Sequence, residues 1–307
     1  DRGSFIRVFL ADLNGDNRPE AIAANKGAQR PGVKDFMRSH PVSIYSVTGD
    51  PLDGANWKEI ILGKYSVPQN AEPVDLDGDG DLDIVIGSRG EERLAWFENL
   101  GDKVFKEHAI GTIGRHAHGF NMDYSDMNGD GRLDIVSLTK RGVAWFQQPK
   151  NIDEGWIGHP IGAFAPDTLI GMTLVDVDGD GDQDLFAGGY SRGSRLEESE
   201  TPIDSPLGRL AWFENPGPDF TLGQDWARHD VSRRKRGMFD KFIARDLDRD
   251  GDMDLLSTRG NSAPYDGVFW LEQVRTSKPM PRFEAARDQE SEEVGLPLTD
   301  STKITLN

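Results

Sequence analysis

The residues best suited to chemistry form an acidic nonapeptide that occurs five times, starting at residues 12, 75, 126, 176 and 246. Each copy has carboxylate or amide side chains at positions 1, 3 and 5 and a carboxylate at position 9. Ca²⁺ takes about six to eight oxygen ligands, and side chains at alternate positions of a tight loop converge on one point. The main-chain carbonyl of position 7 is expected to add a ligand. The repeat therefore predicts up to five structural Ca²⁺ ions.

The predicted metal ligands are the residues at positions 1, 3, 5, 7 and 9 of each loop. They are Asp12, Asn14, Asp16, Arg18 and Glu20; Asp75, Asp77, Asp79, Asp81 and Asp83; Asp126, Asn128, Asp130, Arg132 and Asp134; Asp176, Asp178, Asp180, Asp182 and Asp184; and Asp246, Asp248, Asp250, Asp252 and Asp254. The alternative is an acidic turn without metal, in which clustered carboxylates would repel one another without compensation.

Two copies of the loop depart from the glycine pattern that such a sharp turn favours. Asn17 replaces a glycine in the first copy, which is the weaker match because Pro19 and Glu20 also differ from the other copies. Arg249 replaces a glycine in the fifth copy, where we expect a slight distortion, since glycine reaches positive φ more easily than other residues.

Composition narrows the class of protein. The 307 residues include 53 acidic and 35 basic side chains, giving a net charge of −18. This balance argues against nucleic acid as a partner, because nucleic-acid binding needs basic surfaces. The sequence has no cysteine, and no apolar stretch approaches the ~18 residues of a membrane span. Weak Ca²⁺ sites would saturate outside a cell. We therefore expect an extracellular, periplasmic or cell-surface protein, present here as a mature or trimmed chain.

The metal loops must be positioned by the segments around them. An apolar run such as residues 84–86 follows each loop, and an aromatic segment such as residues 95–99 comes next. A further segment, such as residues 105–110, completes the unit. With the short strand before the loop, each unit has four predicted strands in about 50 residues, the size of a propeller blade. The sequence predicts an all-β fold: a β-propeller of four-stranded antiparallel blades, with five blades visible, or seven if N-terminal blades are missing.

Several side chains recur once per unit. The Trp-Phe pairs of the third strands are expected to pack in the core. His108, His159 and His229 occupy one repeat position in the fourth strands, which indicates a role in the fold and not in catalysis. A calcium-binding parallel β-helix is the main structural alternative, but its repeats are much shorter.

The loop Asp-x-Asp/Asn-Gly-Asp-Gly-x-x-Asp, followed by a strand of the type Ala-Trp-Phe-Glu-Asn, resembles VCBS/FG-GAP-like repeats, which also occur in integrin α-chain heads. The resemblance covers residues 5 to about 287, although the Phe-Gly…Gly-Ala-Pro cage of the integrin type is absent. It implies one β-propeller domain over residues 1–287, with units at about 5–63, 70–111, 117–162, 170–232 and 237–287. Residues 288–307 are expected to form a tail that packs on the propeller.

In such a propeller the metal loops join the first and second strands of each blade, so we assign the ions to stability. Function is expected at the opposite face, where the connections between blades (65–72, 114–121, 165–168 and 233–241) meet insertions at 25–40, 190–208 and 259–267. Around one axial pocket, the predicted ligand-binding residues are Glu72, Asn121, Tyr190, Arg192, Arg236 and Asp240. The candidate catalytic residues are His116, His118, Tyr265 and Lys241.

Three functions agree with this sequence. The first is a calcium-stabilised module that recognises a glycan or an extracellular protein. The second is a carbohydrate-active enzyme, a polysaccharide lyase or an aldos-2-ulose dehydratase-like protein, in which His, Tyr, and Arg or Lys move protons at the axial site. The third is a purely structural or adhesive protein. The basic run at residues 233–236 would pair with carboxylate or sulfate on a ligand, or else be a solvated turn.

Overall fold

The computed structural model describes residues 3–140, 142–165, 167–190, 209–217, 223–232, 237–260 and 267–273. In these residues the chain is all-β, with five antiparallel sheets that form the blades of a β-propeller. The described residues contain little helix, including one turn of α-helix, α1 (Val33–Phe36), and a 3-10 turn at Gly54–Asn56. The predicted fold class and the count of five blades are confirmed.

Each blade is a meander, in which consecutive strands pair side by side. The first blade contains β1 (Phe5–Ala11), β2 (Glu20–Asn25), β3 (Ser39–Val47) and β4 (Trp57–Ser66). The second contains β5 (Pro68–Val74), β6 (Asp83–Ser88), β7 (Arg93–Asn99) and β8 (Phe105–Ile110). The third contains β10 (Ala117–Ser125), β11 (Asp134–Thr139), β12 (Gly142–Gln147) and β13 (Trp156–Gly162), with the short β9 (Thr112–Ile113) parallel to β13.

The remaining two blades follow the same order. The fourth contains β14 (Thr168–Val175), β15 (Asp184–Tyr190), β16 (Leu210–Glu214) and β17 (Ala227–Ser232). Of the fifth, the described residues contain β18 (Phe242–Arg245), β19 (Asp254–Arg259) and β20 (Gly267–Leu271).

The nonapeptide closes the first hairpin of every blade. In the second blade the residue before the loop, Val74, pairs with the position-9 acid, Asp83. The same register recurs in the other four blades, for example at Ser125 and Asp134. The second strands β2 and β6 are buried along their whole length, so apolar side chains suit both of their faces. The register places every metal loop at the same end of its blade.

The chain divides into two compact units, each with its own core. One comprises residues 1–163 and 218–225 and contains the first three blades, with cores built around Ile22 and Ile84 and around Trp96 and Ile135. The other comprises residues 164–217 and 226–307 and contains the last two blades. The domain boundaries stay a prediction, and the tail at 288–307 lies outside the described residues.

Two features pack the blades tightly. Trp96, Trp145 and Trp212 stack on His108, His159 and His229, with ring centroids 4.6, 4.2 and 4.3 Å apart. The recurring histidines thus complete an aromatic pair between third and fourth strands. Separately, a Cβ on Gly87 of β6 would lie 2.3 Å from the Cα of Gly119 in β10, so only glycines allow the second and third blades to approach this closely.

Candidate functional site

Three of the five loops bring together carboxylate groups from three aspartates. In each cluster one ligand oxygen per residue lies within 4.8 Å of the others, a separation that two oxygens bound to one Ca²⁺ at about 2.3–2.6 Å can have. The clusters are Asp75, Asp77 and Asp83 in the second blade; Asp176, Asp178 and Asp184 in the fourth; and Asp246, Asp248 and Asp250 in the fifth.

Main-chain amides shape each of these loops from inside. In the second blade the amides of Gly78 and Gly80 donate to the two carboxylate oxygens of Asp75, at 2.9 and 3.1 Å. The amide of Asp81 donates to Asp79 at 3.1 Å. Gly80 has φ +100°, which a side chain would strain. The conformation of the loop backbone is therefore stabilised by hydrogen bonds to the loop's own carboxylates.

Position 7 offers more than the expected main-chain carbonyl. Asp81 and Asp182 each have a buried Oδ1 that accepts no hydrogen bond from the described residues. Burial, reinforced by neighbouring aspartates, raises the pKa of Asp81 and raises that of Asp182 to about 7. A buried anionic oxygen without a donor is costly unless a cation lies beside it. In each of these two loops the position-7 oxygen and the three clustered carboxylates form a donor set that fits Ca²⁺ and would hold it from positions 1, 3, 7 and 9.

The position-9 acid fastens the loop to its own blade. Asp83 accepts main-chain hydrogen bonds from Leu76 at 3.1 Å and from Asn99, at the end of β7, at 2.8 Å. Burial raises the pKa of Asp83 to about 7 even though these hydrogen bonds act in the opposite direction. Burial likewise raises the pKa of Asp134 to about 7 and of Asp184 to about 6. These carboxylates therefore hold the loop to the blade by hydrogen bonds, and a nearby cation would stabilise their ionised form.

The first and third loops carry less negative charge. Asn14 and Asn128 replace the second aspartate, and each donates its side-chain amide to the position-5 carboxylate, at 3.2 and 3.0 Å. In the third loop the guanidinium of Arg132 pairs with Asp130 and donates to the Gln148 carbonyl. In the first, Lys103 of the second blade lies 2.8 Å from buried Glu20. Metal binding stays a prediction at all five loops, and these two loops have the smaller negative charge to support it.

The two departures from the glycine pattern do not disturb the loops. Arg249 adopts φ +70° and its amide donates to Asp246, as the glycine at that position does in the second and fourth blades. Asn17 adopts φ +63° and donates to Asp12 at 2.7 Å. The slight distortion expected at Arg249 is therefore not seen in the hydrogen bonding of its loop.

In the second, third and fifth blades, an amide side chain at or just after the end of the third strand links the blade to the metal loop of the preceding blade. Asn99 donates to the Leu13 carbonyl in the first loop at 2.8 Å, and Gln148 donates to the Leu76 carbonyl in the second loop at 2.9 Å. In the second compact unit Gln273 donates to the Val177 carbonyl in the fourth loop. Sequence reasoning missed these links, although Asn or Gln at one repeat position was a signal for them.

At the other end of the strands, the first compact unit brings polar side chains together. Glu92 of the β6–β7 turn pairs with Lys140 of the β11–β12 turn. His116 immediately precedes β10, and His118 is the second residue of that strand. Lys140 is the main cause of the lowered pKa of Glu92, and the two histidines lower it further. Arg89 also interacts electrostatically with His118. We call Arg89, Glu92, His116, His118 and Lys140 the turn cluster.

The environment of His118 favours its neutral form. Burial lowers its pKa to about 4, and the positive charge of Arg89 acts in the same direction, while Glu92 opposes it. His116, Arg89 and Lys140 are exposed. Sequence reasoning selected the two histidines but missed Arg89, Glu92 and Lys140. The enzymatic alternative stays a prediction.

A second polar network lies on the first strands of the first three blades. Asn121 on β10 is fully buried and accepts a hydrogen bond from Arg7 on β1. The side-chain amide of Asn70 on β5 donates to the Phe120 carbonyl, while its buried Oδ1 accepts no hydrogen bond from the described residues. Glu72, two residues further along β5, is also buried. Arg7 and Asn70 were not selected from the sequence.

The other predicted ligand-binding and catalytic residues belong to the second compact unit. Tyr190 ends β15 and forms a β-bridge with Met238. Asp240 and Lys241 immediately precede β18, and the Lys241 carbonyl accepts a hydrogen bond from Ser257 at 2.8 Å. Arg192, Arg236 and Tyr265 lie outside the described residues, as does the basic run at 233–236. A single pocket shared by all of these residues stays a prediction.

The family of FG-GAP-like repeats matches residues 12–86, 75–137, 126–187 and 176–257, and each match begins at a metal loop. The chain belongs to the FG-GAP-like repeat family. The FG-GAP part of the sequence-based resemblance is thus confirmed. No curated protein matches this FG-GAP-like chain. Among the described residues, no helix has the length and apolar character needed to cross a bilayer.

Two solved structures are similar to this FG-GAP-like chain. One is an Agrocybe aegerita lectin that specifically recognises non-reducing terminal N-acetylglucosamine, at 17% identity and a TM-score of 0.44. That match covers 87% of this chain and 66% of the lectin chain, so the FG-GAP-like chain spans about two thirds of the lectin's length. The other is the Photorhabdus luminescens Tc holotoxin pore, at 17% identity and a TM-score of 0.35, covering 88% of this chain and 14% of that chain.

Proposed function

We propose that this protein is an extracellular, calcium-stabilised recognition module that binds a glycan at the turn cluster. The observation that carries the proposal is the convergence of five polar side chains from three separate segments at the end of the blades opposite the metal loops. Ligand sites combine a few convergent polar groups on a rigid scaffold. The turn cluster has this form, and the carboxylate loops are well placed to keep the scaffold rigid.

The chemistry of the turn cluster suits a ligand rich in hydroxyl groups. Glu92 accepts hydrogen bonds, Arg89 and Lys140 donate them, and a neutral His118 offers one donor and one acceptor. A sugar hydroxyl can both donate and accept, so neighbouring hydroxyls can pair with several of these groups at once. Arg89, His116 and Lys140 are exposed and open to a ligand from solution.

Calcium has a separate role in this proposal. The buried carboxylates of the second and fourth loops need a cation, and the clustered oxygens suit Ca²⁺. Since the loops join first to second strands and the turn cluster lies at the other ends of those strands, the ions would stabilise the module without touching the ligand. Weak sites of this type fill at the calcium concentrations outside cells, which supports the extracellular location.

The test is glycan binding by the whole chain in calcium-containing buffer. The protein is applied to immobilised neutral, acidic and amino-sugar glycans, and the dissociation constant of each bound glycan is then measured by titration calorimetry. Lys140→Gln, Glu92→Gln and His118→Ala should each weaken binding by about tenfold or more, the usual effect of losing a buried or charge-assisted hydrogen bond.

The matched control is Lys150→Gln, which removes an exposed lysine from the same blade at its metal-loop end. It should leave the glycan dissociation constant unchanged. Unaltered melting temperatures would show that the variants are folded. The proposal fails if no glycan binds the wild-type chain, or if the turn-cluster variants bind as tightly as Lys150→Gln.

A further inference from the structure

The insertion between β2 and β3 of the first blade exposes apolar side chains next to basic residues. Val33 is 81% exposed, Met37 82% and Phe36 38%, all within or next to the single turn α1. We call these three residues the apolar tip. Monomeric proteins expose single apolar side chains commonly, but a contiguous group with a polar border indicates an interaction site.

Basic side chains surround the apolar tip. Residues 26–38 contain four basic residues and one acidic residue, in a chain whose net charge is −18. Arg30, Lys34 and Arg38 are exposed, and none of them forms an ion pair with another described residue. The one acid, Asp35, accepts a hydrogen bond from the Gly32 amide at 2.7 Å and so closes the turn. The positive charge of this border is therefore available to an external partner.

The apolar tip is held in place by the neighbouring segments. Ser66, the last residue of β4, donates from its hydroxyl to the Phe36 carbonyl at 2.8 Å. The Arg89 guanidinium lies over the Phe36 ring, 5.7 Å from its centroid. Both contacts hold Phe36 in place, so the neighbouring Val33 and Met37 lie on a turn whose position is already fixed. Binding through them would lose little conformational freedom.

We propose that the apolar tip and its basic border dock this protein on an anionic lipid surface. Val33 and Met37 would enter the boundary between headgroups and acyl chains, while Arg30, Lys34 and Arg38 contact the anionic headgroups. This combination of buried apolar area and basic charge is what drives interfacial membrane binding. The proposal does not depend on the glycan site.

Two other partners fit the same surface less well. A stable protein interface covers roughly 800 Å² on each partner, and a tip of three side chains on one turn is much smaller. An acidic polysaccharide would use the basic border but would leave Val33 and Met37 in water. A lipid surface is the partner that uses both the charge and the apolar groups.

The test is co-sedimentation of the whole chain with vesicles of phosphatidylcholine, with or without phosphatidylglycerol, at constant millimolar Ca²⁺. Wild-type protein should bind the anionic vesicles, and the binding should weaken as salt is added. Lys34→Gln with Arg38→Gln should reduce the partition coefficient by about 25-fold, at about fivefold for each basic group near an anionic surface. Val33→Ser with Met37→Ser should reduce it by about tenfold or more at unchanged charge.

The matched control is Leu52→Ser. Leu52 is 92% exposed in the β3–β4 connection, at the metal-loop end of the same blade, between Asp50 and Asp53. This variant should have the same partition coefficient and the same melting temperature as the wild type.

Failure of the wild-type chain to bind anionic vesicles would overturn the proposal. So would equal binding by wild type and the Val33→Ser, Met37→Ser variant. If the wild-type chain binds heparin but does not bind the anionic vesicles, the surface is a polyanion site and the lipid assignment is wrong. Glycan affinity at the turn cluster, measured on the same variants, would show separately whether the proposed function holds.

Discussion

Asn99 of the second blade donates a hydrogen bond from its side-chain amide to the carbonyl oxygen of Leu13, inside the metal loop of the first blade, at 2.8 Å. The same amide donates to the Leu82 carbonyl of its own blade at 3.1 Å. A single buried side chain therefore ties together two blades at the point where each forms its loop. Gln148 repeats the link between the second and third blades.

Removing this link should destabilise the protein. Asn99→Ala would leave buried carbonyl groups without a donor, at a cost of about 1–3 kcal/mol in the free energy of unfolding. Urea denaturation in calcium measures that free energy. Asn151→Ala, at an exposed asparagine of the third blade, serves as the control and should change it by no more than about 0.5 kcal/mol. Equal effects of the two substitutions would contradict an energetic role for the link.

Calcium removal should lower the melting temperature without changing the fold class. Asp75, Asp77 and Asp83 would be left to repel one another once the ion is gone, as would the matching clusters in the fourth and fifth blades. A chelator titration followed by calorimetry, with circular dichroism to monitor β-structure, checks this. Asp77→Ala should reduce the number of bound ions and the calcium-dependent gain in melting temperature, while glycan affinity changes little. Glu154→Gln, an exposed acid outside the loops, should match wild type.

Asp81→Asn should have opposite effects with and without calcium. The buried Oδ1 of Asp81 lies among the carboxylates of its loop and accepts no hydrogen bond from the described residues. Neutralising it relieves repulsion in the metal-free protein, so the melting temperature should rise there. The same change removes an anionic ligand, so the melting temperature in saturating calcium should fall. A shift of the same sign in both conditions would show that Asp81 does not face the ion.

Acid should weaken the protein through His118. Its pKa is about 4 in the folded chain, against 6.5 for the unperturbed group, so the unfolded chain binds more protons between these values. This histidine's contribution to stability is therefore complete above pH 6.5 and falls as the pH drops towards 4, by up to about 3 kcal/mol. Arg89 and Glu92 are the charged side chains of the turn cluster that act on this histidine.

The measurement compares wild type with His118→Gln by urea denaturation between pH 7.5 and 4.5 in saturating calcium. The difference in unfolding free energy between the two proteins should shrink as the pH falls. A pH-independent difference would mean that His118 titrates normally in the folded chain.

The sequence was sufficient to predict the architecture because the same loop and the same strand pattern occur in every unit. Five nonapeptides with the same spacing, each followed by an apolar run and an aromatic strand, indicate a repeated hairpin of fixed register, and Val74 pairs with Asp83 as that register requires. The position-9 acid was predicted as a metal ligand. Its second role, which is to accept a hydrogen bond from the main-chain N–H of Asn99, depends on the pairing of β6 with β7 in space.

The turn cluster was only half predictable. His116 and His118 were recognisable because two histidines interrupt the repeat. Glu92 and Lys140 were not, since each lies in an ordinary polar turn, and their meeting depends on how closely the second and third blades pack at Gly87 and Gly119. The conformation at Arg249 was mispredicted for a local reason: the hydrogen bond from its amide to Asp246 stabilises a positive φ that propensity alone disfavours.

The metal loops are shaped by the protein's own amides, with Gly78, Gly80 and Leu76 already bound to the loop carboxylates. Capturing an ion then requires only small movements of side chains, so loading should follow the arrival of ions by diffusion and not a slow rearrangement of the chain. Such a protein would respond to a change in the surrounding calcium by stiffening or loosening within an unchanged outline, and it could be loaded and emptied many times without passing through an aggregation-prone state.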